Sequence, residues 1–127
     1  MYNYETRLRN RLHISALSPS TAQANRAAAE AVVHASVAKR AARLSMTAAF
    51  HRDLRSAATE AMRAGVAAVK AADAAELALA EAPISDSAML ALAEARSAAE
   101  EVARAREALA QEVISAAERR LQPYFAE

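Results

Sequence analysis

The sequence contains no cysteine, no tryptophan and one glycine in 127 residues. Without cysteine there are neither disulfide bonds nor thiolate zinc sites, which fits a reducing compartment and predicts a cytoplasmic protein or part of an intracellular assembly. One glycine cannot supply the glycine-rich loop of a kinase. No uncharged run approaches the roughly 20 residues that a membrane span requires. We therefore expect a soluble protein without disulfides.

Large apolar side chains are also scarce. Alanine occupies 39 positions, whereas leucine, isoleucine, valine and phenylalanine together occupy 23. Alanine has the highest helix propensity, and the net charge is only +1, so stable helix is favoured over disorder. Buried apolar area contributes roughly 25 cal/mol per Å². With so few large side chains, one copy of the chain is expected to be only marginally stable by itself.

The stretch from Met46 to Ala82 predicts a long helix with two apolar stripes. The first consists mainly of alanine, and the second lies roughly 100° further round the helix. The first stripe comprises Phe50, Leu54, Ala57, Ala61, Ala64, Ala68, Ala72, Ala75 and Leu79, and the second Met62, Val66, Val69, Leu77 and Ala80. Because a surface helix has one apolar stripe, this pattern predicts a central helix between two partners.

A turn separates this helix from a second one of similar length. Pro83 cannot continue a helix, and Ser85 is a favourable N-cap followed by an acidic residue. Ile84 and Met89 have the spacing of a hydrophobic staple around that cap. A seam of apolar residues at three- and four-residue steps follows, and Pro123 is expected to end it. The seam comprises Leu92, Ala95, Ala99, Val102, Ala105, Leu109, Val113 and Ala116.

The remaining boundaries are less sharply marked. Residues 20–23, Ser-Thr-Ala-Gln, have the form of a capping box and begin a helix. We expect it to end near residues 45–47, because 46–82 then matches 86–121 in length; one continuous helix over 21–82 is the alternative. Residues 2–17 alternate like a strand, but no second strand exists to pair with them, so a short helix is favoured.

The predicted fold class is all-α. It is an antiparallel bundle of three to four helices around an alanine-rich helical hairpin. Residues 1–19 form a short basic N-terminal helix or arm, and 20–127 form the bundle, with helices over about 20–45, 46–82 and 86–121.

No pattern in the chain indicates catalysis, a metal or a cofactor. Glu30 and His34 lie one turn apart, but the Glu-x-x-His pairs of di-iron bundles are missing. Residues 51–54, His-Arg-Asp-Leu, match a kinase catalytic loop by chance, since Ala58 stands where asparagine is required. The sequence predicts a protein that is not an enzyme, with no small-molecule substrate.

Charge is unevenly distributed along the chain. Residues 1–55 carry nine basic and three acidic residues, and 56–127 carry seven basic and twelve acidic ones. An antiparallel hairpin is expected to gather the basic residues at one pole, where they would contact an anion or a partner: Lys39, Arg40, Arg43, His51, Arg52, Arg55, Arg119 and Arg120. The opposite pole would hold Asp73, Glu76, Glu81, Asp86 and Glu94. The alternative is that these charges only keep helix ends solvated.

Two functions follow from these features. The first is a non-catalytic structural or adaptor subunit that associates with itself or with a larger protein assembly. Aromatic residues near the termini are candidate interface anchors, as aromatics are enriched in interfaces: Tyr2, Tyr4, Tyr124 and Phe125. The second is a small nucleic-acid-binding subunit whose arginines contact phosphates. The chain has only two lysines, and no aromatic residue lies within the basic cluster to stack on a base. Both observations count against the second function, so we favour the first.

Overall fold

The computed structural model describes residues 19–125, and the side chains of residues 22–124. It contains three helices, α1 (Pro19–Phe50), α2 (Leu54–Glu81) and α3 (Asp86–Phe125), and no strand in that range. The prediction of an all-α helical bundle is confirmed. The predictions for the N-terminal arm, including helix against strand at residues 2–17, concern residues outside the described range.

The helices run up, down and up. The Ser45 hydroxyl of α1 donates to the Ala57 carbonyl of α2 at 2.7 Å, close to the turn between these two helices. Two ion pairs join α1 to α3, from Lys39 to Glu94 and from Arg43 to Glu101, and their rising numbers show that α1 and α3 are parallel. All three pairs of helices are in contact, α1 with α2 most extensively and α2 with α3 least. The helices are therefore arranged as a triangle: α2 contacts two partners, as predicted, but it does not lie between them, because α1 and α3 also contact each other.

The core is built almost entirely from alanine. Of the 23 buried apolar residues, 22 are alanine, and Val102 is the exception. Methyl groups fill little space, so the three helix axes approach closely and leave no room between them for larger side chains. Ser45, which is fully buried, is the only buried polar side chain in the described part of the chain. The large apolar side chains are consequently left outside the core.

The predicted stripes of α2 are only partly correct. Ala57, Ala61 and Ala64 are buried as expected, whereas Ala68 is half-buried and Ala72 is exposed. The prediction that the second stripe covers a helix of this chain is wrong, because its large side chains are exposed. The contact with α1 is made by alanines instead, since their small side chains permit a closer approach. The buried residues in the second half of α2 are Ala67, Ala71, Ala74, Ala75 and Ala78.

The turn between α1 and α2 lies later than predicted. Residues 45–47 are helical, so both the predicted helix end there and the alternative of one helix over 21–82 are wrong. The N–H of Arg52 donates to the Ala49 carbonyl at 2.9 Å, and that of Asp53 to the Ala48 carbonyl at 2.8 Å. These two bonds form a Schellman motif with Arg52 in the left-handed conformation (φ 62°), where glycine is usual. The absence of glycine concealed this helix end in the sequence.

Asp53 begins the next helix immediately. Its side chain accepts a hydrogen bond from the Ser56 N–H at 3.2 Å, so it is the N-cap of α2. The residues 51–54 that resemble a kinase loop are thus a tight turn between two helices. At the other end of the bundle, α1 begins at Pro19, ahead of the predicted cap at Ser20. Proline is favoured at the first helical position, where no N–H is needed.

The turn between α2 and α3 follows the prediction in part. Ser85 is the N-cap of α3, because its hydroxyl accepts a hydrogen bond from the Ala88 N–H at 3.0 Å. The predicted staple is wrong, since Ile84 is 94% exposed. The predicted helix end at Pro123 is also wrong, since α3 continues to Phe125. A proline in the last turn removes only one backbone hydrogen bond, so the helix tolerates it there.

Candidate interaction surface

The outward side of α2 carries three large apolar residues at helical spacing. Met62, Val66 and Val69, here called the α2 stripe, are 73%, 53% and 60% exposed. Steps of four and three residues place them on one face of the helix. Single exposed apolar side chains are common on protein surfaces, whereas a contiguous apolar patch indicates a contact surface. The α2 stripe is therefore the first component of a candidate interaction surface.

The patch continues onto α1. A shallow depression of about 370 Å³ lies between the two helices, and Val37 lines it together with Met62 and Val66. Val37 is exposed, and so is Val33 one turn earlier. His34, Arg63 and Lys70 border the same depression. The apolar surface is thus rimmed by polar and basic groups, which is the usual arrangement of a protein interface.

On its other side, the α2 stripe adjoins a groove between α2 and α3. The groove has a volume of about 300 Å³ and an apolar lining with one charged residue from each helix, Glu76 and Arg96. We call it the α2–α3 groove; its apolar lining comprises Ala72, Ala75, Leu79, Leu92, Ala95 and Ala99. A second depression of about 280 Å³ extends it to Gly65 and Val69. The α2–α3 groove exists because α2 and α3 are the helix pair with the least mutual contact.

Gly65 lies where this groove meets the α2 stripe. A Cβ at this position would lie 2.8 Å from Nη2 of Arg106, so the missing side chain lets that guanidinium lie across α2. Arg106 is exposed and forms no ion pair with the rest of the described chain. Its long side chain can therefore turn away without losing a partner. At Gly65 the outward side of α2 is thus covered by the guanidinium of Arg106 in place of a side chain of its own.

The end of α3 projects from the bundle. Ala105 is its last buried residue, and α3 continues for nineteen residues beyond Arg106. α1 ends seven residues after Arg43, which contacts Glu101 of α3. At 1.5 Å per residue, the part of α3 beyond the level of the α1 end is on the order of 25 Å long. It exposes four large side chains: Val113, Ile114, Leu121 and Tyr124.

The predicted basic residues do not all remain available for a partner. Lys39 pairs with Glu94 at 2.8 Å, Arg43 pairs with Glu101 at 3.3 Å, and Arg119 pairs with Glu112 at 2.8 Å. The predicted separation of charge into two poles is therefore wrong for Glu94. It packs beside Lys39, because α1 and α3 are parallel.

Three of the predicted basic residues are exposed at the turn between α1 and α2, and a fourth, Arg40, is exposed ten residues before the end of α1. His51 and Arg52 lie within the turn, Arg55 is in the first turn of α2, and Arg40 lies on α1. None of the three arginines forms an ion pair among residues 22–124. Arg120 is exposed on the projecting part of α3. Arg52 and Arg55, which form no ion pair among the described side chains, are the part of the predicted pole that persists at this turn.

The predicted aromatic anchors are mostly outside the described side chains. Tyr2, Tyr4 and the side chain of Phe125 lie outside them, while Tyr124 is exposed at the end of α3. The prediction of anchors did not include Phe50, which is 83% exposed at the end of α1. Its ring packs edge to face with the His51 ring, and the two ring centroids are 5.4 Å apart. Its place beside a turn gives an aromatic group next to the exposed arginines.

No cluster of three or more histidine, aspartate or glutamate side chains in the described range is arranged to hold a metal ion. Hydrogen bonds from the Ser56 side chain and backbone lower the pKa of Asp53, and they are the bonds by which Asp53 caps α2.

No helix between residues 19 and 125 has the length and apolar content needed to cross a membrane.

Comparisons with protein-family models, with curated proteins and with solved structures find no match to this chain. Its function must therefore be inferred from the surface itself.

Proposed function

We propose that this protein is a non-catalytic structural or adaptor subunit that acts through helix–helix contacts, in a homo-oligomer or a larger protein assembly. A cytoplasmic or other intracellular location is part of the proposal. One observation carries it: the chain buries its alanines and exposes its large apolar side chains.

This distribution is the reverse of an ordinary globular core. Valine, leucine, isoleucine and methionine are usually among the most buried residues, yet sixteen large apolar or aromatic side chains of the described chain are exposed. Exposed side chains of this size contribute little to the stability of one copy, because their area stays in water. A binding partner would remove that area from water, and so the α2 stripe and the α2–α3 groove are best explained as contact surfaces.

A second candidate function is binding of a nucleic acid. The observation in its favour is the group of exposed arginines near the α1–α2 turn, with Phe50 beside them. Arginine forks suit phosphate geometry, and an exposed aromatic ring can stack on a base. Against it, three of the eight predicted contact residues are already paired with carboxylates. The net charge of the chain is also only +1.

The two functions differ in their response to salt. Size exclusion with light scattering, with and without a short single-stranded nucleic acid, separates them at low and moderate ionic strength. If protein contacts are the function, the assembly persists at roughly 0.15 M salt, because screening acts on exposed charges and not on apolar contacts. If phosphate is the partner, log affinity falls linearly with log salt, with a slope near −0.7 per phosphate contacted.

Arg52→Ala and Arg55→Ala should then reduce that slope, while Arg26→Ala, which changes an exposed arginine near the opposite end of α1, serves as the matched control. A monomer that holds nucleic acid at moderate salt would contradict the proposed function.

A further inference from the structure

We propose that the partner is a second copy of this chain, and that the two α2 helices pack antiparallel about a twofold axis between residues 65 and 66. This inference rests on the proposed function and specifies both the partner and the contact face. The apolar residues, the charges along α2 and the α2–α3 groove each support it.

A twofold interface must present a surface that is complementary to itself. With the axis between residues 65 and 66, Met62 of one copy faces Val69 of the other, and Val66 faces Gly65. Large side chains thus meet a side chain of similar size or the backbone of the only glycine. Gly65 has no side chain to keep the second helix away, and the exposed guanidinium of Arg106, which lies beside Gly65 in one copy, must turn aside to admit that helix. The α2 stripe is therefore complementary to itself in this register.

Charge selects the antiparallel direction. The outward side of α2 is basic near its start, at Arg55, and acidic towards its end, at Asp73 and Glu76, and all three residues are exposed. In the register set by the apolar residues, Arg55 of one copy faces Glu76 of the other, and the twofold axis creates this pair twice. Two parallel α2 helices would instead bring like charges together. Such complementarity determines orientation more than affinity.

The α2–α3 groove supplies the additional area. A stable interface takes roughly 800 Å² from each partner, which is more than three side chains offer. In this register each α2–α3 groove, lined by residues 72–79 of α2, lies opposite residues 52–59 of the other α2. The contact thus extends from the α2 stripe in both directions, and at each end the exposed Ala72 and Ala99 of one copy add apolar surface to it. The resulting contact has the form of a four-helix bundle with two helices from each copy.

The projecting end of α3 is a weaker candidate for this contact. The cavity on its surface is lined by polar and charged side chains, those of Ser115, Glu118, Arg119 and Gln122. It therefore offers apolar side chains without an apolar groove to receive them, whereas the α2 face has both.

The chain has no cysteine, so single cysteine substitutions test the contact directly. Val66→Cys places a thiol beside the axis, and mild oxidation or a short bismaleimide should link two copies covalently, since a disulfide requires Cα atoms within about 7 Å. Ile84→Cys is the matched control because Ile84 is exposed in the turn between α2 and α3. It lies eighteen residues from the axis, which places its two copies on the order of 50 Å apart. We expect linkage at residue 66 and none at residue 84.

A charge exchange provides an independent measurement by light scattering. Arg55→Glu should raise the dissociation constant of the dimer roughly tenfold, since two equivalent pairs become like-charge contacts. Adding Glu76→Arg to the same chain restores opposite charges and should return the constant to near its original value. A variant with both substitutions that dimerises no better than Arg55→Glu alone would refute the register.

The possible failures are distinguishable. An oligomer that links at residue 84 and not at 66 would overturn the inferred interface and leave the proposed function standing. A protein that is monomeric at every concentration tested would overturn the inference, and if that monomer also holds nucleic acid at moderate salt, the proposed function fails too.

Discussion

Replacing alanine with leucine should destabilise the protein at one position of α2 and leave its stability unchanged at another, one helical turn away. Ala64 is fully buried in the core, whereas Ala68 is half-buried and lines the depression beside the α2–α3 groove. At residue 64 the added isopropyl group must displace neighbouring helices, which costs about 1 to 3 kcal/mol. At residue 68 the same group enters open space of about 280 Å³, so we expect no loss of stability. The sequence places Ala61 and Ala68 in the same alanine stripe, but the depression beside Ala68 leaves room there for a larger side chain.

Thermal and urea denaturation, followed by circular dichroism at concentrations low enough to prevent association, measure the difference. For a chain of this length, 1 kcal/mol corresponds to a change in melting temperature of about 4 °C. Ala64→Leu should therefore melt roughly 4 to 12 °C lower than the parent protein. Glu60→Ala, which removes only an exposed ion pair with Arg63, is the control for a surface change and should shift melting little. Equal shifts for the two leucine variants would refute the close-packed alanine core.

Three further predictions concern the helix ends. Ser85→Ala removes the cap of α3 and should lower the free energy of unfolding by about 1 kcal/mol in urea titrations, while helix content stays unchanged. Arg52→Gly should keep or raise the melting temperature, because glycine adopts φ 62° without the steric cost that a side chain incurs, whereas Arg52→Val should lower it. The pKa of Asp53 is lowered by its hydrogen bonds with Ser56, so its contribution to stability is present above about pH 4 and is lost as the pH falls through the folded-state pKa. Asp53→Asn retains a cap but should reduce this loss in denaturation measured between about pH 5 and pH 2, and an unchanged pH profile would contradict the capping role.

The sequence predicted the fold class well because helix propensity and turn residues act locally. The cap at Ser85 and the break at Pro83 could be identified from residue type alone, and the structure confirms that a turn and a helix start lie there. The turn after Phe50 could not be identified by glycine, because an arginine occupies the left-handed position. Its one local signal was Asp53, a residue type favoured at helix N-caps, whose side chain accepts a hydrogen bond from the backbone N–H of Ser56.

The arrangement of the helices was harder to predict. Helical periodicity shows which residues share a face, but it does not show which of two apolar faces is buried. Hydrophobicity suggested that Met62, Val66 and Val69 contact another helix of the chain, and the small size of alanine reversed this outcome. The α2–α3 groove depends on the separation of two helices, which no local pattern encodes.

We propose that the exposed apolar side chains stabilise association between chains and contribute little to the folding stability of one copy. Light scattering on the parent protein and on a variant with Met62→Ser, Val66→Ser and Val69→Ser tests it most directly, with helix content measured in parallel. The parent protein should have about twice the 13.5 kDa mass of one chain, and the variant should return to 13.5 kDa with the same helix content. A parent protein of 13.5 kDa at all concentrations, or a variant that loses its helices, would contradict the claim.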